Sequence, residues 1–290
     1  MDAALRARFK TKARRQGALD AGEARTQGAL VAALRVRPRT THRTVQCGLG
    51  GRGFVLNRAI RLDLHNHTSF SADGVMSPAE LLRAAKASGL ACIAVTDHNT
   101  VEGALEALAL SEADPALPRV IPGIEISTAD GDVIGLYVRA AVPRGLSAMD
   151  SIALIRQQGG LVYLPHPFDI IRRGTIAARA REQVAEESDV VEVLNGRSLS
   201  SVAVKNSESL ARRHSKPQGA GSDAHGAREV GRAYVTVERC PSRDDLAELI
   251  RTGALRDGLC WHEYVLNWAL QPLSVITRVR RKSVRKLLRR

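Results

Sequence analysis

From Arg61 onward, short apolar runs alternate with amphipathic helical stretches, and this alternation limits the fold more than any other feature of the chain. Runs such as 90–95, 161–164 and 190–194 have the length of buried strands and are too short for helices. Further strands are expected at 61–64, 120–126, 132–138 and 233–237, with another ending at Gly221. Ser77 reads as an N-cap, Pro78 as the first helical residue and Glu80 as the far side of a capping box. Leu81, Leu82 and Ala85 give that helix its apolar face, and Gly89 stops it. Other helices are expected behind Thr100 to 111, from Ser147 and Asp150 to Gly159, and at 175–186, 201–214 and 242–251. Repeated β–α units argue for a parallel sheet with helices outside it. No repeat of about 20–50 residues is present, which excludes a solenoid.

The chemistry-bearing residues stand at the ends of these runs. His65 and His67 lie at i and i+2 behind an apolar strand, so both rings point the same way, and Asp73 follows after a polar turn. Asp97 and His98 end the next strand, Glu125 stands on a third, His166 follows another, and Asp223 and His225 follow a fifth. Neutral imidazole is a common metal ligand, and added carboxylates suit a site for more than one divalent ion. In a parallel α/β barrel the C-terminal strand ends meet at one mouth, where active sites form. Each residue has a bland alternative: a solvated loop histidine, a helix-start residue at His98, a solvated acid at Glu125, an N-cap at Asp223. Their recurrence at five strand ends, in a chain with only 8 histidines, argues against all of them being bland.

Charge divides the chain into three. The net charge is +13, but residues 1–60 carry +10 and residues 278–290 carry +8, leaving −5 between them. Residues 1–57 read as a basic, disordered extension; a start site set too early, an anion-binding arm and a targeting peptide are the alternatives. Residues 58–260 form the folded domain. Residues 261–290 read as a basic C-terminal helix or tail that could dock and fray, lie on an acidic membrane surface or contact nucleic acid. Aromatic residues make up 3% of the chain, which leaves few platforms for stacking single-stranded nucleic acid. Cys47, Cys92, Cys240 and Cys260 have no C-x-x-C spacing and read as isolated thiols of a reducing, cytoplasmic protein. No apolar run of about 18 residues and no signal-peptide core is present. No nucleophile elbow or P-loop supports a serine hydrolase or a nucleotide-triphosphatase.

The set H-N-H with Asp73, T-D-H ending in His98, G-I-E with Glu125, L-P-H-P around His166 and S-D-A-H with Asp223 and His225 resembles the polymerase and histidinol phosphatase (PHP) family. The match runs from about Ile60 to Val237, and GDVIGLYV with QQGGLVYLPHPFDIIRR looks like the small stand-alone branch. The resemblance implies a distorted seven-stranded β/α barrel, TIM-like in outline, holding two or three divalent ions. It implies one ion on His65, His67, Glu125 and Asp223, a second on Asp73, His98 and His225, and a third shared by Glu125 and His166. Many members place a histidine in the strand after G-I-E as the remaining ligand; here Asp132 is the nearest equivalent, a hard ligand that favours manganese or magnesium over zinc. Manganese, magnesium, zinc and iron are all candidates, manganese first.

The implied activity is hydrolysis of phosphate monoesters, on a small phosphorylated metabolite or a nucleotide such as a nucleoside bisphosphate. An exonuclease on short oligonucleotides, guided by the basic ends, and a non-catalytic binding module are the alternatives. Arg172, Arg173 and Arg197 are candidates to hold substrate phosphate, since guanidinium forks fit phosphate oxygens; solvated loop arginines are the bland reading. His225 could protonate the leaving group instead of binding metal. Asp97 is expected to orient a ligand histidine.

Overall fold

In the computed structural model, residues 59–169, 174–198 and 200–257 are described. The basic extension and the basic C-terminal segment expected from the sequence lie outside them, as do Arg172 and Arg173.

Nine strands form one sheet: β1 (Ile60–Asp63), β2 (Leu90–Val95), β3 (Arg119–Thr128), β4 (Gly131–Leu136), β5 (Leu161–Leu164), β6 (Val190–Asn195), β7 (Gln218–Gly221), β8 (Ala233–Val237) and β9 (Ala254–Asp257). Their spatial order is β7-β6-β5-β4-β3-β2-β1-β8-β9. The first seven nearly close on themselves. Leu64 N–H reaches the Ala220 carbonyl at 3.2 Å, Asp223 N–H the His65 carbonyl at 2.7 Å, and His67 N–H the Ala224 carbonyl at 2.9 Å. The expected seven strands are therefore the ring, and β8 with β9 extends the sheet beyond it.

The sheet is mixed, where an all-parallel one was expected. β1–β2, β2–β3, β5–β6 and β6–β7 pair parallel through helical crossovers. β4 is antiparallel to both its neighbours, and β8 runs antiparallel to β1 and β9. The cause at β4 is local. Only Ala129 and Asp130 separate it from β3, too few for a crossover, so the chain must turn back as a hairpin. Gly131 has φ +122°, a region open to glycine, and a Cβ there would strike the backbone of Ile176.

Helices α1 (Pro78–Ala87), α2 (Glu102–Ala113), α3 (Ala148–Gln157), α4 (Ala178–Glu187), α5 (Ser201–Arg213) and α6 (Leu246–Thr252) lie against the sheet. The Ser77–Glu80 capping box forms as expected. Thr100 sits one residue too early to cap α2 directly: Val101 is the capping position, and the Thr100 hydroxyl accepts the Glu102 N–H instead. α4 starts at Ala178, later than the 175 expected. α6 starts at Leu246 because the Asp245 carboxylate takes the Ser242 N–H and holds 242–245 as a turn. Strand alternation divides the core. Cys92 and Ala94 pack with Ile121, Ile134, Leu136 and Tyr163, while Ile93 and Val95 pack with Leu81, Leu82 and Ala104 of the helices. Among the described residues no helix is long and apolar enough to cross a membrane.

Candidate metal centre

The ring closure sets the site. By pairing 64–67 with 220–224, it lays His65 and His67 beside Asp223 and His225. Glu125 stands between them, 1% exposed. Its Oε2 lies 3.3 Å from His65 Nε2, 3.3 Å from His67 Nε2 and 3.1 Å from His98 Nδ1, and its Oε1 lies 3.3 Å from His166 Nε2. Asp223 Oδ1 is 3.4 Å from His67 Nε2, and Asp73 Oδ2 is 3.1 Å from His225 Nε2 and 3.9 Å from His98 Nε2. Asp132 reaches the same mouth because β4 runs backwards and begins there. All nine residues expected as ligands therefore meet in one place. Four groupings have ligand atoms within 4.8 Å of one another: His67, His98 and His225; His65, His67 and Asp223; His65, Glu125 and His166; and His98, Glu125 and Asp132. Asp132 thus falls in with His98 and Glu125, whereas the resemblance paired it with Glu125 and His166.

The tautomers show whether these residues fit a cation. Both Asp97 oxygens are occupied: Oδ2 accepts from the Thr68 hydroxyl at 2.6 Å, and Oδ1 from Thr68 N–H at 2.6 Å and the Ser71 hydroxyl at 2.7 Å. The Ser71 proton is thereby committed, so Ser71 Oγ accepts from His67 Nδ1, 3.2 Å away, and from the His98 N–H at 2.9 Å. That leaves the His67 Nε2 lone pair facing two carboxylate oxygens. Lone pair against lone pair is repulsive unless a proton or a cation lies between. Burial holds His67 well below its ordinary pKa, and neighbouring His225 adds to this, so a proton is a poor choice. His65 Nδ1 likewise faces Glu192 Oε1 at 3.2 Å and turns Nε2 into the site. Among the described residues, His65 Nε2, His67 Nε2 and His98 Nδ1 are buried and make no hydrogen bond. The donor set and the orphaned nitrogens suit divalent cations.

The site's own field points the same way. Burial opposes charge on His65, but Glu125 and Glu192 outweigh it and push the imidazole up to about 10. Burial also opposes charge on Glu125, yet His65 and His98 hold it well below the usual carboxylate range. The cluster therefore keeps its carboxylate ionised and waits on positive charge.

Two of the nine candidate ligands have a strained backbone. His166 has φ +29° and Asp223 φ +50°, a region costly for residues with a Cβ. Each is pinned by its own amide: His166 N–H donates to Glu192 Oε2 at 2.7 Å, and Asp223 N–H to the His65 carbonyl. The sequence reading missed Glu192, the hub of this arrangement. It is 1% exposed and accepts from His65, His166 N–H, the Tyr163 hydroxyl at 3.1 Å and Asn195 Nδ2 at 3.0 Å. A lone acid inside the apolar run VVEVLN was the signal available. Asp63, inside β1, was missed for the same reason; burial raises its pKa to about 6, and it ties β1 to Ser222.

The sequence that builds this site has matches elsewhere. Residues 63–192 match the PHP domain and residues 203–255 the PHP-associated domain. A 122-residue stretch is 37% identical to an uncharacterized protein of Methanocaldococcus jannaschii, covering 39% of this chain and 70% of that one. The chain belongs to the PHP family. A 5'-3' exoribonuclease of Haemophilus influenzae is 36% identical over 103 residues, which is 34% of this chain and 36% of that one. The fold of a two-domain Bacteroides vulgatus protein, described as containing a predicted PHP-like metal-dependent phosphoesterase, superimposes with a TM-score of 0.56 at 16% identity, covering 75% of this chain and 70% of that one.

Arg197 lies at the rim of this PHP site, with Nη1 2.8 Å from His225 Nδ1 and 3.6 Å from Asp223 Oδ1. Asp97 is fully buried and does not face the cavity; its contacts position His67 through Ser71. Stripping divalent ions is expected to lower the melting temperature. Saturation to about a hundred times Kd stabilises by about 2.7 kcal/mol per site, or roughly 5–10 °C for a domain of this size. Differential scanning fluorimetry with and without manganese checks this.

Proposed function

We propose that this PHP enzyme hydrolyses phosphate monoesters of small phosphorylated metabolites, nucleotides such as nucleoside bisphosphates included. The observation that carries the reading is a cavity of about 910 Å³ opening directly on the cluster. That is room for one small molecule. One wall carries Arg197 and His225, the other the β3–β4 hairpin from Ser127 to Asp132 with Thr175.

In this reading His65, His67, Glu125 and Asp223 hold one cation, and Asp73, His98 and His225 a second. A third is held by Glu125 with His166 or Asp132, and the added carboxylate favours manganese or magnesium over zinc. When bound, these ions lower the pKa of water, bind phosphoryl oxygens and stabilise the leaving oxygen. The protein's own part is to place and to charge. Glu125 fixes the spacing of four imidazoles with one carboxylate. Asp97 and Ser71 keep the His67 proton on Nδ1, and Glu192 does the same for His65. Arg197 supplies a guanidinium to a phosphoryl oxygen. His225 sits between Asp73 and Arg197 at the rim, where a ring proton on Nε2 would meet a departing alkoxide if the ring is not itself a ligand.

Replacing Arg197 with alanine is expected to lower kcat/KM by about 10–100-fold, the value of a charge-assisted hydrogen bond of about 1.5–3 kcal/mol. Steady-state kinetics on the best substrate measures it. The reading itself is tested with metal-stripped protein reloaded with manganese, magnesium or zinc, on a panel of phosphate monoesters and a short oligoribonucleotide. Metal-dependent phosphate release from a small ester supports it. The name of the Haemophilus influenzae relative favours a second reading, exonucleolytic hydrolysis of RNA. Shortening of the oligoribonucleotide with every monoester left intact would select that one. A metal-loaded protein that consumes neither would sink both.

A further inference from the structure

Asn195 ends β6 and is buried, and its side chain meets three groups of the site at once. Its Nδ2 donates to Glu192 Oε2 at 3.0 Å and to Asp223 Oδ2 at 3.3 Å, and its Oδ1 accepts the Arg197 N–H at 2.9 Å. Carboxylates accept and a backbone N–H donates, so these partners fix which way the amide points. The bond from the Arg197 N–H makes an Asx turn. Two further bonds hold the same turn: Ser198 N–H donates to the Asn195 carbonyl at 3.0 Å, and Gly196 N–H to the Gly221 carbonyl at 2.9 Å. A Cβ on Gly196 would come within 2.9 Å of the Ser222 carbonyl oxygen, so glycine suits the close approach of this turn to the end of β7. Asn195 does not line the cavity that opens on the cluster, so whatever it does there it does through its partners.

We propose that Asn195 is a positioning residue that couples the cation-facing oxygen of Asp223 to the phosphate-holding Arg197. The inference rests on the roles proposed above for those two residues. The two Asp223 oxygens have different neighbours. Asn195 holds Oδ2, which leaves Oδ1 facing His67 Nε2 at 3.4 Å and Arg197 Nη1 at 3.6 Å. Without the amide that hold on the carboxylate is gone, and with it the spacing between Oδ1 and the imidazole. The amide also stands between two buried carboxylates, Glu192 and Asp223, whose like charges would otherwise face each other in a low dielectric. Through Glu192 it supports the acceptor of His65 and of the His166 N–H. At its other end, the Asx turn aims Arg197, whose Nη1 reaches His225 Nδ1 at 2.8 Å. One amide thus sets the gap between the guanidinium and the cation ligands, and that is the gap a phosphoryl group must bridge.

The test compares Asn195→Ala, Arg197→Ala and the double variant with the wild type, all as the full chain, in two calorimetric titrations that need no turnover. One adds manganese to metal-stripped protein; the other adds inorganic phosphate at saturating manganese. Asn195→Ala is expected to weaken manganese binding about 10–100-fold, the usual effect of losing a ligand's outer partner, and by the same factor whether or not Arg197 is present. Arg197→Ala should weaken phosphate binding and Asn195→Ala should weaken it less. The double variant should match Arg197→Ala alone, because effects that pass through one group do not add. Asn195→Ser keeps an acceptor for the Arg197 N–H but has one proton for two carboxylates. It should bind phosphate nearly as the wild type does and still lose manganese affinity, and it decides the matter if the alanine variant does not fold. Wild-type manganese affinity in either Asn195 variant would overturn the proposal, as would phosphate losses that add in full in the double variant. An ester panel left intact while both titrations come out as expected would remove the phosphatase reading and leave this inference standing.

Discussion

Glu125→Ala is expected to abolish phosphoester hydrolysis, with kcat falling on the order of 10³-fold or more, and to release metal from the protein. One carboxylate stands within 3.3 Å of four imidazoles, so its removal affects every proposed ligand set in which a cation must be shared. Several kcal/mol of charge stabilisation at the transition state depend on clustered cations, and each 1.36 kcal/mol is a factor of ten in rate. Two measurements check this: turnover after reloading, and metal content by elemental analysis. The thermal shift on adding manganese should shrink in the same variant. An alanine variant that keeps its metal content and its rate would remove Glu125 from the centre of the mechanism.

The second large effect is expected at a residue that touches no substrate. Glu192→Ala leaves the His65 Nδ1–H, the His166 N–H, the Tyr163 hydroxyl and an Asn195 amide proton without their acceptor, all buried. Removing one partner of a buried charged network costs about 3–5 kcal/mol, and loss of a ligand's outer hydrogen bond weakens metal affinity about 10–100-fold. Chemical denaturation reads the first and metal titration the second. Glu192→Gln keeps one carbonyl oxygen and should lose less on both. If Gln and Ala lose metal equally while only Ala unfolds, Glu192 serves packing and not the imidazole.

How far the sequence reached depends on what each feature needs. Strand alternation and the Ser77–Glu80 box are local, so they are legible in a few residues. The candidate ligands that the fold brings together were legible because hydrogen-bonding side chains at the ends of apolar runs are conspicuous. Direction was not legible: β4 looks like any short apolar run, and only the length of its connection to β3 decides that it turns back. Glu192 and Asp63 were missed because a buried acid inside a strand reveals its partners only in three dimensions. The Thr100 cap failed by one residue, which is the ordinary looseness of helix ends.

The β3–β4 hairpin has a consequence for how such an enzyme can change. Glu125 lies partway along β3, which runs on to Thr128 before turning back at Gly131. The hairpin therefore rises above the cluster as a parapet on one side of the cavity, and Gly174 sits so close to Asp132 that a methyl group there would collide with the carboxylate. Residues added to the turn, or taken from it, would alter the depth of the cavity while every imidazole stayed in place. In the proposed reading, the histidines that would hold the cations and the turn at Ala129 and Asp130 that bounds the cavity are separate pieces of chain, with Asp132 the proposed ligand nearest that turn.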